Sequence, residues 1–489
     1  MANIAENQIY LPDDPSISLQ IRLREAISKG IWDGRFAPGD RLPATRALAK
    51  QLSIARITVS LAYEELVTTG YIQSRARSGF FVSEDAPSLL KSEDFAEEPV
   101  ENAVDWARRL GPPIRALGPQ AKPQDWASYP YPFVFGKPDS IRFPLDDWRA
   151  CARQALGKQS FQVIADDFGD RDDPMLVEQI AKRSVTGRGV TARPEEILVT
   201  SGAQNAIWFI VCLLFPQEGQ GRAVIEEPGY PELRHMLIQR GIDIVPVRVD
   251  REGILVDDIP TDVDAVFVSP SHQAPTGMTM SMPRRQALLS RAEADDFVVI
   301  EDDYDFEMSY LRPHSPALKS LDRQGRVVYV GSFSKSLFPG LRLGYLVAPA
   351  AFVDRARALR TLVARHPPGL TQRAAAYFLA LGYYNAHAKT LRARMAKRRA
   401  AILDAFTAGG VTVPVGNTFG GASVWIEAPD HVDTADLAER LRPQGVLIEP
   451  GAGFYHGPAP RNTMRIGFSV IPSEKIPAGV DLICRALRS

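Results

Sequence analysis

The segment 330-VGSFSKSLFPGLRLGY-345 carries the residues that most restrict the fold and chemistry of this chain. Residues 327–331 run into it and are typical of a buried strand, whereas the serines, Pro339 and Gly340 indicate a loop. This loop carries Lys335, whose amine can condense with an aldehyde, and Arg342, whose guanidinium fork suits a phosphate. A lone Ser-Lys pair on a loop is most often solvated, so its meaning depends on the rest of the chain.

The strands upstream of this segment follow one pattern. Short apolar runs alternate with helical patterns from about residue 131 onward, at 196–200, 223–226, 265–269, 298–301 and 327–331. Such alternation predicts an α/β fold in which helices cover a largely parallel sheet. The chain has 489 residues, of which 45% are hydrophobic and 24% charged, and this favours more than one domain.

Five other segments add side chains suited to a phosphorylated aromatic ring. They are VTSGAQNA (199–206), EEPGY (226–230), SPSHQAPTG (269–277), VIEDDYDFE (299–307) and MRIGFS (464–469). In the first, a strand and a small-residue turn lead into a helix whose N-terminus suits a phosphate. EEPGY offers the Tyr230 ring for stacking. A ring nitrogen needs a carboxylate, and chemistry alone does not choose among Glu301, Asp302 and Asp303.

These six segments, in this order, resemble those of fold-type I aminotransferases, which use pyridoxal 5'-phosphate (PLP). The resemblance implies that Lys335 forms the Schiff base and that Tyr230 covers the pyridine ring. It makes Arg465 the arginine for a substrate carboxylate. The implied phosphate cup and its neighbours are Ser201, Gly202, Ala203, Gln204, Ser332, Ser334 and Arg342.

The first 83 residues predict a winged helix-turn-helix. Leu19, Leu23, Ile27 and Ile31 recur at four-residue steps, which indicates an amphipathic helix. A second helix and a third, for which Ser53 is the expected cap, precede strands at 71–75 and 79–83. Residues 41–83 hold six basic and two acidic side chains, although the whole chain has a net charge of −1. A local basic excess of this kind suits nucleic acid.

The stretch FAPGDRLPATRALAKQLSIARITVSLAYEELVTTGYIQSRARSGFFV, residues 36–82, is similar to the DNA-binding domain of GntR-family regulators. The resemblance implies a recognition helix and a wing that contact operator DNA. The implied contact residues are Arg46, Arg56, Thr58, Ser60, Arg77, Ser78 and Gly79. Ala55 stands where the family usually has Ser or Thr, so one hydroxyl for a phosphate is missing.

A GntR-type reader joined by a linker to an aminotransferase-like domain identifies the chain as a member of the MocR subfamily. Within EDDYD the subfamily pattern assigns Asp302 to the pyridine nitrogen and Tyr304 to the phenolic oxygen of PLP. Ala274 replaces the asparagine of the enzymes, and either His272 or Gln273 could take over its hydrogen bond. Glu232 stands where members responsive to γ-aminobutyrate (GABA) carry an effector-binding arginine.

The expected organisation is a DNA-binding domain at 1–83, an acidic, proline-containing linker at 84–128 and a PLP-binding domain at 129–489. The expected function is transcriptional regulation of a nearby catabolic or transport operon, without an enzymatic role. The effector would be taurine, GABA or another amino compound, bound through PLP, Arg465 and Glu232. The alternatives are an active aminotransferase with a regulatory N-terminal domain and a regulator that senses PLP itself.

The resemblance also implies a homodimer, and the sequence predicts a cytoplasmic protein with no membrane or metal partner. Cys151, Cys212 and Cys484 lie far apart and form no CxxC pair, which disfavours both a disulfide framework and a zinc site. Residues 1–18 already contain acids, unlike a secretory signal.

Overall fold

A computed structural model of the chain describes residues 3–14, 17–86, 104–110, 123, 125–134, 143–167, 169–313, 315–414, 416 and 418–488. The chain forms two compact units, Met1–Gly111 and Pro112–Ser489. The predicted linker at 84–128 falls largely outside the described residues, at 87–103, 111–122 and 124, so its bounds stay a prediction. Among the residues described, no helix has the length and apolar character needed to cross a bilayer.

The first unit contains three packed helices and a two-stranded wing. Its elements are α1 (Leu19–Trp32), α2 (Thr45–Gln51), α3 (Arg56–Thr68), β1 (Ile72–Arg75), β2 (Gly79–Val82) and the short α4 (Trp106–Arg109). α1 begins after Ser18, whose hydroxyl accepts a hydrogen bond from the Ile21 backbone. It buries Leu23, Ile27 and Ile31, three of the four residues in the predicted stripe. The predicted winged helix-turn-helix is confirmed.

The third helix starts later than predicted. Ser53 is not its cap, because this residue has a positive φ of 55° and belongs to the turn. The helix begins at Arg56 after Ala55, which provides no side-chain hydrogen bond to the helix. Residues in the left-handed region break a helix, so the turn extends two residues beyond the serine.

The second unit contains the remaining elements. Its helices are α5 (Leu145–Ala155), α6 (Lys158–Ile164), α7 (Pro174–Gln179), α8 (Ala203–Leu214), α9 (Pro231–Gln239), α10 (Met282–Ala294), α11 (Leu318–Leu321), α12 (Ala350–Ala364), α13 (Gly369–Ala380), α14 (Tyr383–Ala408), α15 (Thr434–Leu441) and α16 (Ile476–Arg488). Its strands are β3 (Tyr131–Pro132), β4 (Ile197–Thr200), β5 (Arg222–Glu227), β6 (Asp243–Asp250), β7 (Gly253–Ile254), β8 (Ala265–Val268), β9 (Val298–Asp303), β10 (Val327–Ser332), β11 (Gly344–Val347), β12 (Ser423–Glu427), β13 (Val446–Leu447), β14 (Glu449–Pro450) and β15 (Thr463–Gly467).

An eight-stranded mixed sheet lies at the centre of this unit, in the order β4-β11-β10-β9-β8-β5-β6-β7. Strands β10, β9, β8, β5 and β6 pair in parallel, whereas β11 is antiparallel to both of its neighbours. Successive side chains of β10 enter apolar clusters on opposite faces, with Val328 and Val330 on one face and Val327 and Tyr329 on the other. Helices cover both faces, as expected of a largely parallel sheet, so the predicted α/β fold is confirmed.

A smaller sheet, β12-β15-β14, lies nearer the C-terminus. It packs through Ile426 and Ile466 into an apolar cluster that includes Ile402 and Phe406 of α14 and Ile483 of α16. The strand β15 is paired on both sides, which fixes the position of each residue along it.

A buried ion pair beside the large sheet generates a stability prediction. Asp172 accepts hydrogen bonds from the Arg360 guanidinium, from Arg357 Nη1 at 2.8 Å and from the Val199 backbone at 3.2 Å. The side chains of Asp172 and Arg360 are each 1% exposed. We expect Asp172→Ala to lower the free energy of unfolding by about 3–5 kcal/mol, because it leaves a buried guanidinium unpaired.

The measurement is urea unfolding of the full chain followed by circular dichroism. Asp167→Ala is the matched control, since Asp167 pairs with Arg365 at the surface, where an ion pair contributes little. Equal midpoints for Asp172→Ala and the wild type would contradict the prediction.

Candidate functional site

Five loops meet at one edge of the large sheet. Strands β4, β5, β8, β9 and β10 run in the same direction, so their carboxyl ends lie at the same edge. These ends lead directly into the segments that start at Ser201, Pro228, Ser269, Tyr304 and Phe333. The large sheet therefore gathers five of the six predicted segments, although they are far apart in sequence, whereas MRIGFS lies on β15 of the smaller sheet.

Asp302 and Lys335 belong to two adjacent strand ends within this edge. Asp302 is the last but one residue of β9, and Lys335 follows the end of β10 by three residues. The Oδ1 atom of Asp302 is buried and has no hydrogen-bond partner among the described residues. Burial, followed by the carboxylates of Asp303 and Asp305, raises the pKa of Asp302 to about 7, and Lys335 opposes this rise. A buried carboxylate of this kind suits a cationic ring nitrogen.

A turn, a helix N-terminus and an arginine form a phosphate-sized cup. Gly202 precedes α8 with a φ of 95°, a conformation that favours glycine. Arg342 Nη2 donates to the Ser201 carbonyl oxygen at 3.0 Å. A Cβ on Gly344 would lie 2.9 Å from the Ala203 nitrogen, so the strand passes the helix start only because this residue is glycine. Exposed N–H groups beside a guanidinium are the donors that a phosphate requires.

The remaining predicted cup residues lie nearby in the chain. Gln204 is the second residue of α8. Ser332 ends β10, and its hydroxyl accepts a hydrogen bond from the Ser334 backbone at 3.2 Å, one residue before Lys335. This contact fixes the start of the lysine loop.

Two partly buried tyrosines flank the same edge. Burial raises the pKa of Tyr230 and Tyr304 well above the usual range, and the Asp302 carboxylate raises both further. Arg465 lowers the pKa of both tyrosines, so its guanidinium lies close enough to interact with both rings. The Tyr304 hydroxyl donates to the His272 carbonyl oxygen at 2.9 Å. Both rings are therefore neutral phenols at physiological pH.

The side chains of His272 and Gln273 are both engaged within the protein. His272 Nδ1 lies 2.8 Å from Asp305 Oδ1, and both residues are buried. The Gln273 amide nitrogen donates to Glu226 at 3.3 Å and to the Pro228 carbonyl oxygen at 2.7 Å. The two residues thus hold the loop after β8 against its neighbours. Which of them could replace the enzymes' asparagine stays open.

Glu226 is a site residue that the sequence reasoning missed. It lies on β5, where its Oε2 accepts hydrogen bonds from the Ser269 backbone at 3.2 Å and from Gln273. Its Oε1 is buried and has no partner among the described residues. Burial is the main cause that raises the pKa of Glu226 to about 8, and Asp302 adds to it. An acid directly after the apolar run 223–225 was the available signal.

Two of the other three acids of EDDYD, Asp303 and Glu301, accept hydrogen bonds from described residues. Arg188 Nε contacts Asp303 Oδ2 at 2.7 Å in a pair that is almost fully buried, and the Tyr329 hydroxyl donates to the same oxygen. Glu301 accepts hydrogen bonds from the backbone of Leu318 and Lys319, each at 2.8 Å. These contacts anchor the end of β9, and the assignment of Asp302 to the ring nitrogen stays a prediction.

A second buried acid lies behind the lysine loop. Glu307 accepts a hydrogen bond from the Tyr384 hydroxyl, which also lies 3.0 Å from the Ser336 hydroxyl. Burial raises the pKa of Glu307 to about 8. Ser336 follows Lys335 directly, so this chain of contacts ties the loop to α14. The sequence carried no local signal for it, because the three residues come from distant segments.

Arg465 lies on β15 in a closed ion pair. Its Nε and Nη2 contact the two carboxylate oxygens of Glu449 at 3.0 and 2.9 Å, and its guanidinium lies 4.6 Å from the centre of the Phe454 ring. Glu232 is partly buried in the first turn of α9, where it raises the pKa of Tyr230. The predicted effector residues are thus near one tyrosine, and Arg465 already has a carboxylate partner.

The first unit presents a second candidate site on its helix-turn-helix. Arg46 on α2 and Arg56 at the start of α3 are exposed, while Thr58 and Ser60 are partly exposed. In the wing, Arg77 and Gly79 have positive φ values of 62° and 106°, which form the turn between β1 and β2. The Ser78 backbone closes this turn by donating to the Arg75 carbonyl oxygen at 2.9 Å. The predicted DNA-binding residues therefore lie at the surface of the first unit.

Comparisons with known protein families agree with this division. Residues 19–82 match the family of bacterial regulatory proteins called the gntR family, and residues 138–483 match the family "Aminotransferase class I and II". The chain is 49% identical to the HTH-type transcriptional regulator TauR of Rhodobacter capsulatus, over 96% of this chain and 97% of that protein. It is 30% identical to the probable rhizopine catabolism regulatory protein MocR of Rhizobium meliloti, over 97% and 94% of the two chains.

Solved structures support the fold of the second unit. The α-aminoadipate aminotransferase LysN of Thermus thermophilus superposes with a TM-score of 0.71 at 25% identity, over 79% of this chain and 98% of that one. The kynurenine aminotransferase of Pyrococcus horikoshii gives a TM-score of 0.69 at 25% identity, over 81% and 98%. The aminotransferase-like fold implies PLP binding.

The described residues fit PLP. Asp302 offers an unsatisfied oxygen to a ring nitrogen, and Lys335 offers an amine to an aldehyde. Arg342 and the start of α8 offer the donors that a phosphate needs. The three groups correspond to the three polar parts of the cofactor.

The buried acids generate a pH prediction. The pKa of Glu226 is about 4.3 in an unfolded chain and about 8 in the fold, so the native state holds an extra proton between these values. The contribution of Glu226 to stability is therefore fully present below about pH 4 and is lost as the pH rises to about 8, by at most about 1.4 kcal/mol per pH unit. We expect Glu226→Gln to lose less thermal stability than the wild type when the pH rises from about 5.5 to about 8.

The measurement is thermal unfolding of protein without added cofactor across that range. Glu218→Gln, at an exposed position, is the control and should follow the wild type. The prediction is wrong if Glu226→Gln and the wild type lose stability in parallel as the pH rises.

Proposed function

The chain belongs to the MocR subfamily of GntR-family transcriptional regulators, and on this premise we propose that it senses a small amino compound through PLP held on Lys335. The observation that carries the proposal is the position of Lys335 near Asp302 at one sheet edge, where the buried Oδ1 of Asp302 has no hydrogen-bond partner among the described residues. The compound would alter how the helix-turn-helix binds an operator near a catabolic or transport operon. A homodimer in the cytoplasm is the form in which we propose that it acts.

In this proposal the cofactor supplies an aldehyde and an electron-withdrawing ring. Asp302 holds the ring nitrogen in its protonated form, because a carboxylate favours a neighbouring cation. The Tyr230 ring would cover one face of the cofactor, and the Tyr304 hydroxyl would donate to its phenolic oxygen in place of the His272 carbonyl oxygen. Arg342 and the backbone at the start of α8 neutralise the phosphate.

The protein's own groups then decide which amine remains bound. The Lys335 amine would hold the cofactor at its aldehyde carbon, which is also the position that an effector amine would need. Ser332 and Ser336 fix the ends of the lysine loop through their hydrogen bonds. A regulator gains from a long-lived bound effector, which favours slow or absent turnover.

Arg465 is the proposed receptor for an anionic group of the effector, since a guanidinium fork suits a carboxylate or a sulfonate. Its present partner, Glu449, competes for the same donors. Glu232 disfavours a second anion in this region and accepts a cation or a hydrogen-bond donor. Taurine leads the candidates because the 49% identical relative bears the name TauR, followed by GABA and diamino acids.

The proposed role of Lys335 predicts a single labelling site. Borohydride treatment of the full chain with PLP should attach the cofactor covalently to Lys335, because it reduces the carbon–nitrogen double bond formed there. Lys335→Ala should lose this label, whereas Lys389→Ala, which changes an exposed lysine on α14, should keep it. Peptide mass spectrometry locates the label. A label of equal yield in Lys335→Ala would refute the assignment.

The proposed anion site predicts opposite effects for two neighbouring variants. Arg465→Ala should weaken taurine binding about tenfold or more, because it removes a charged hydrogen-bond partner. Glu449→Gln should strengthen it, because the competing carboxylate loses its charge. Absorbance titration with taurine and with ethanolamine, which lacks the anion, measures both effects.

Ethanolamine should bind these variants alike, and Arg461→Ala, an exposed arginine just before β15, should behave as the wild type. Unchanged taurine affinity in Arg465→Ala, together with a response of the wild type, would exclude Arg465 as the anion site.

A further inference from the structure

Ile57 exposes an apolar side chain at the start of the third helix. It is the second residue of α3 and is 65% exposed, the largest exposed fraction of any large apolar side chain described on α1, α2 or α3. At 3.6 residues per turn, it lies on the opposite side of the helix from Val59, Ala62 and Leu66, which are fully buried. The side chain therefore has no part in the core of this unit.

The helices α2 and α3 carry exposed basic side chains, and the exposed acid Glu64 lies about two turns along α3 from Ile57. Among the described residues, Arg46, Lys50 and Arg56 form no ion pair, and all three are exposed. The acid Glu65, by contrast, contacts Arg24 of α1 on another side of α3. Basic side chains without acidic partners suit contacts to phosphates, which position a protein on DNA but do not read its sequence.

The side chain of Ile57 has no hydrogen-bond donor or acceptor, so any contact that it makes with DNA is apolar. In a helix-turn-helix, the N-terminal residues of the second helix, which is α3 here, contact base edges in the major groove. The C5-methyl group of thymine is the apolar feature that the base pairs present there. We infer that Ile57 packs against a thymine methyl group of the operator and sets a preference for thymine at that position, an inference that rests on the proposed DNA-binding function.

The test removes the methyl group alone. Full-length protein first selects a duplex from a random-sequence library, and each thymine of that duplex is then replaced in turn by deoxyuridine, which pairs identically but lacks the methyl. One replacement in a half-site should weaken wild-type binding about fourfold, the ratio that corresponds to one buried methyl-sized group. Fluorescence anisotropy at fixed salt measures each affinity.

The matched variant is Ile57→Ala, which should bind the thymine duplex about fourfold more weakly and lose no further affinity when that thymine becomes deoxyuridine. Val67→Ala, at an exposed position near the other end of α3, should keep the wild-type sensitivity. The salt dependence should not change in Ile57→Ala, because no phosphate contact is lost.

Two results are distinguishable. If the protein selects no duplex, the proposed DNA-binding function fails. If it selects a duplex, but every deoxyuridine replacement affects the wild type and Ile57→Ala equally, DNA binding stands and the thymine contact is wrong.

Discussion

The cofactor edge of this protein depends on a carboxylate oxygen that is buried and has no hydrogen-bond partner among the described residues. An ionised carboxylate in this state is costly, and burial accordingly raises the pKa of Asp302 to about 7. Asp303 avoids part of this cost because it pairs with Arg188, whereas burial also raises the pKa of Glu301 to about 7 although it accepts two backbone hydrogen bonds. A neighbouring cation would remove this cost at Asp302. The protonated nitrogen of a pyridine ring is such a cation.

The fold and the cofactor segments could be predicted because their signals are local. The apolar runs before Ser201, Ser269 and Lys335 identified strands. Because the strands of a parallel sheet run in the same direction, their carboxyl ends lie at one edge. Gly202 and Gly344 show why the phosphate segment needs small residues, since the helix start and a strand pass within contact distance. The basic helix-turn-helix was predictable for the same reason, from a short continuous stretch.

The partners of individual side chains could not be predicted, because they come from distant parts of the chain. Arg188 had no local signal, and Glu449 becomes the partner of Arg465 only through the pairing of β14 with β15. The engagement of His272 by Asp305 likewise depends on how two loops pack. Ser53 shows the limit at short range, because its suitability as a cap did not reveal the left-handed turn that it adopts.

We propose that binding of the effector at Lys335 changes how the helix-turn-helix binds DNA. Coupling of this kind requires that the effector bind differently in two states of the chain. The direct measurement is the affinity of the full-length protein for its selected duplex, with and without taurine, GABA and a diamino acid, in the wild type and in Lys335→Ala. The account predicts that at least one amine shifts the wild-type affinity and that none shifts that of Lys335→Ala, and an equal shift in both proteins would contradict it.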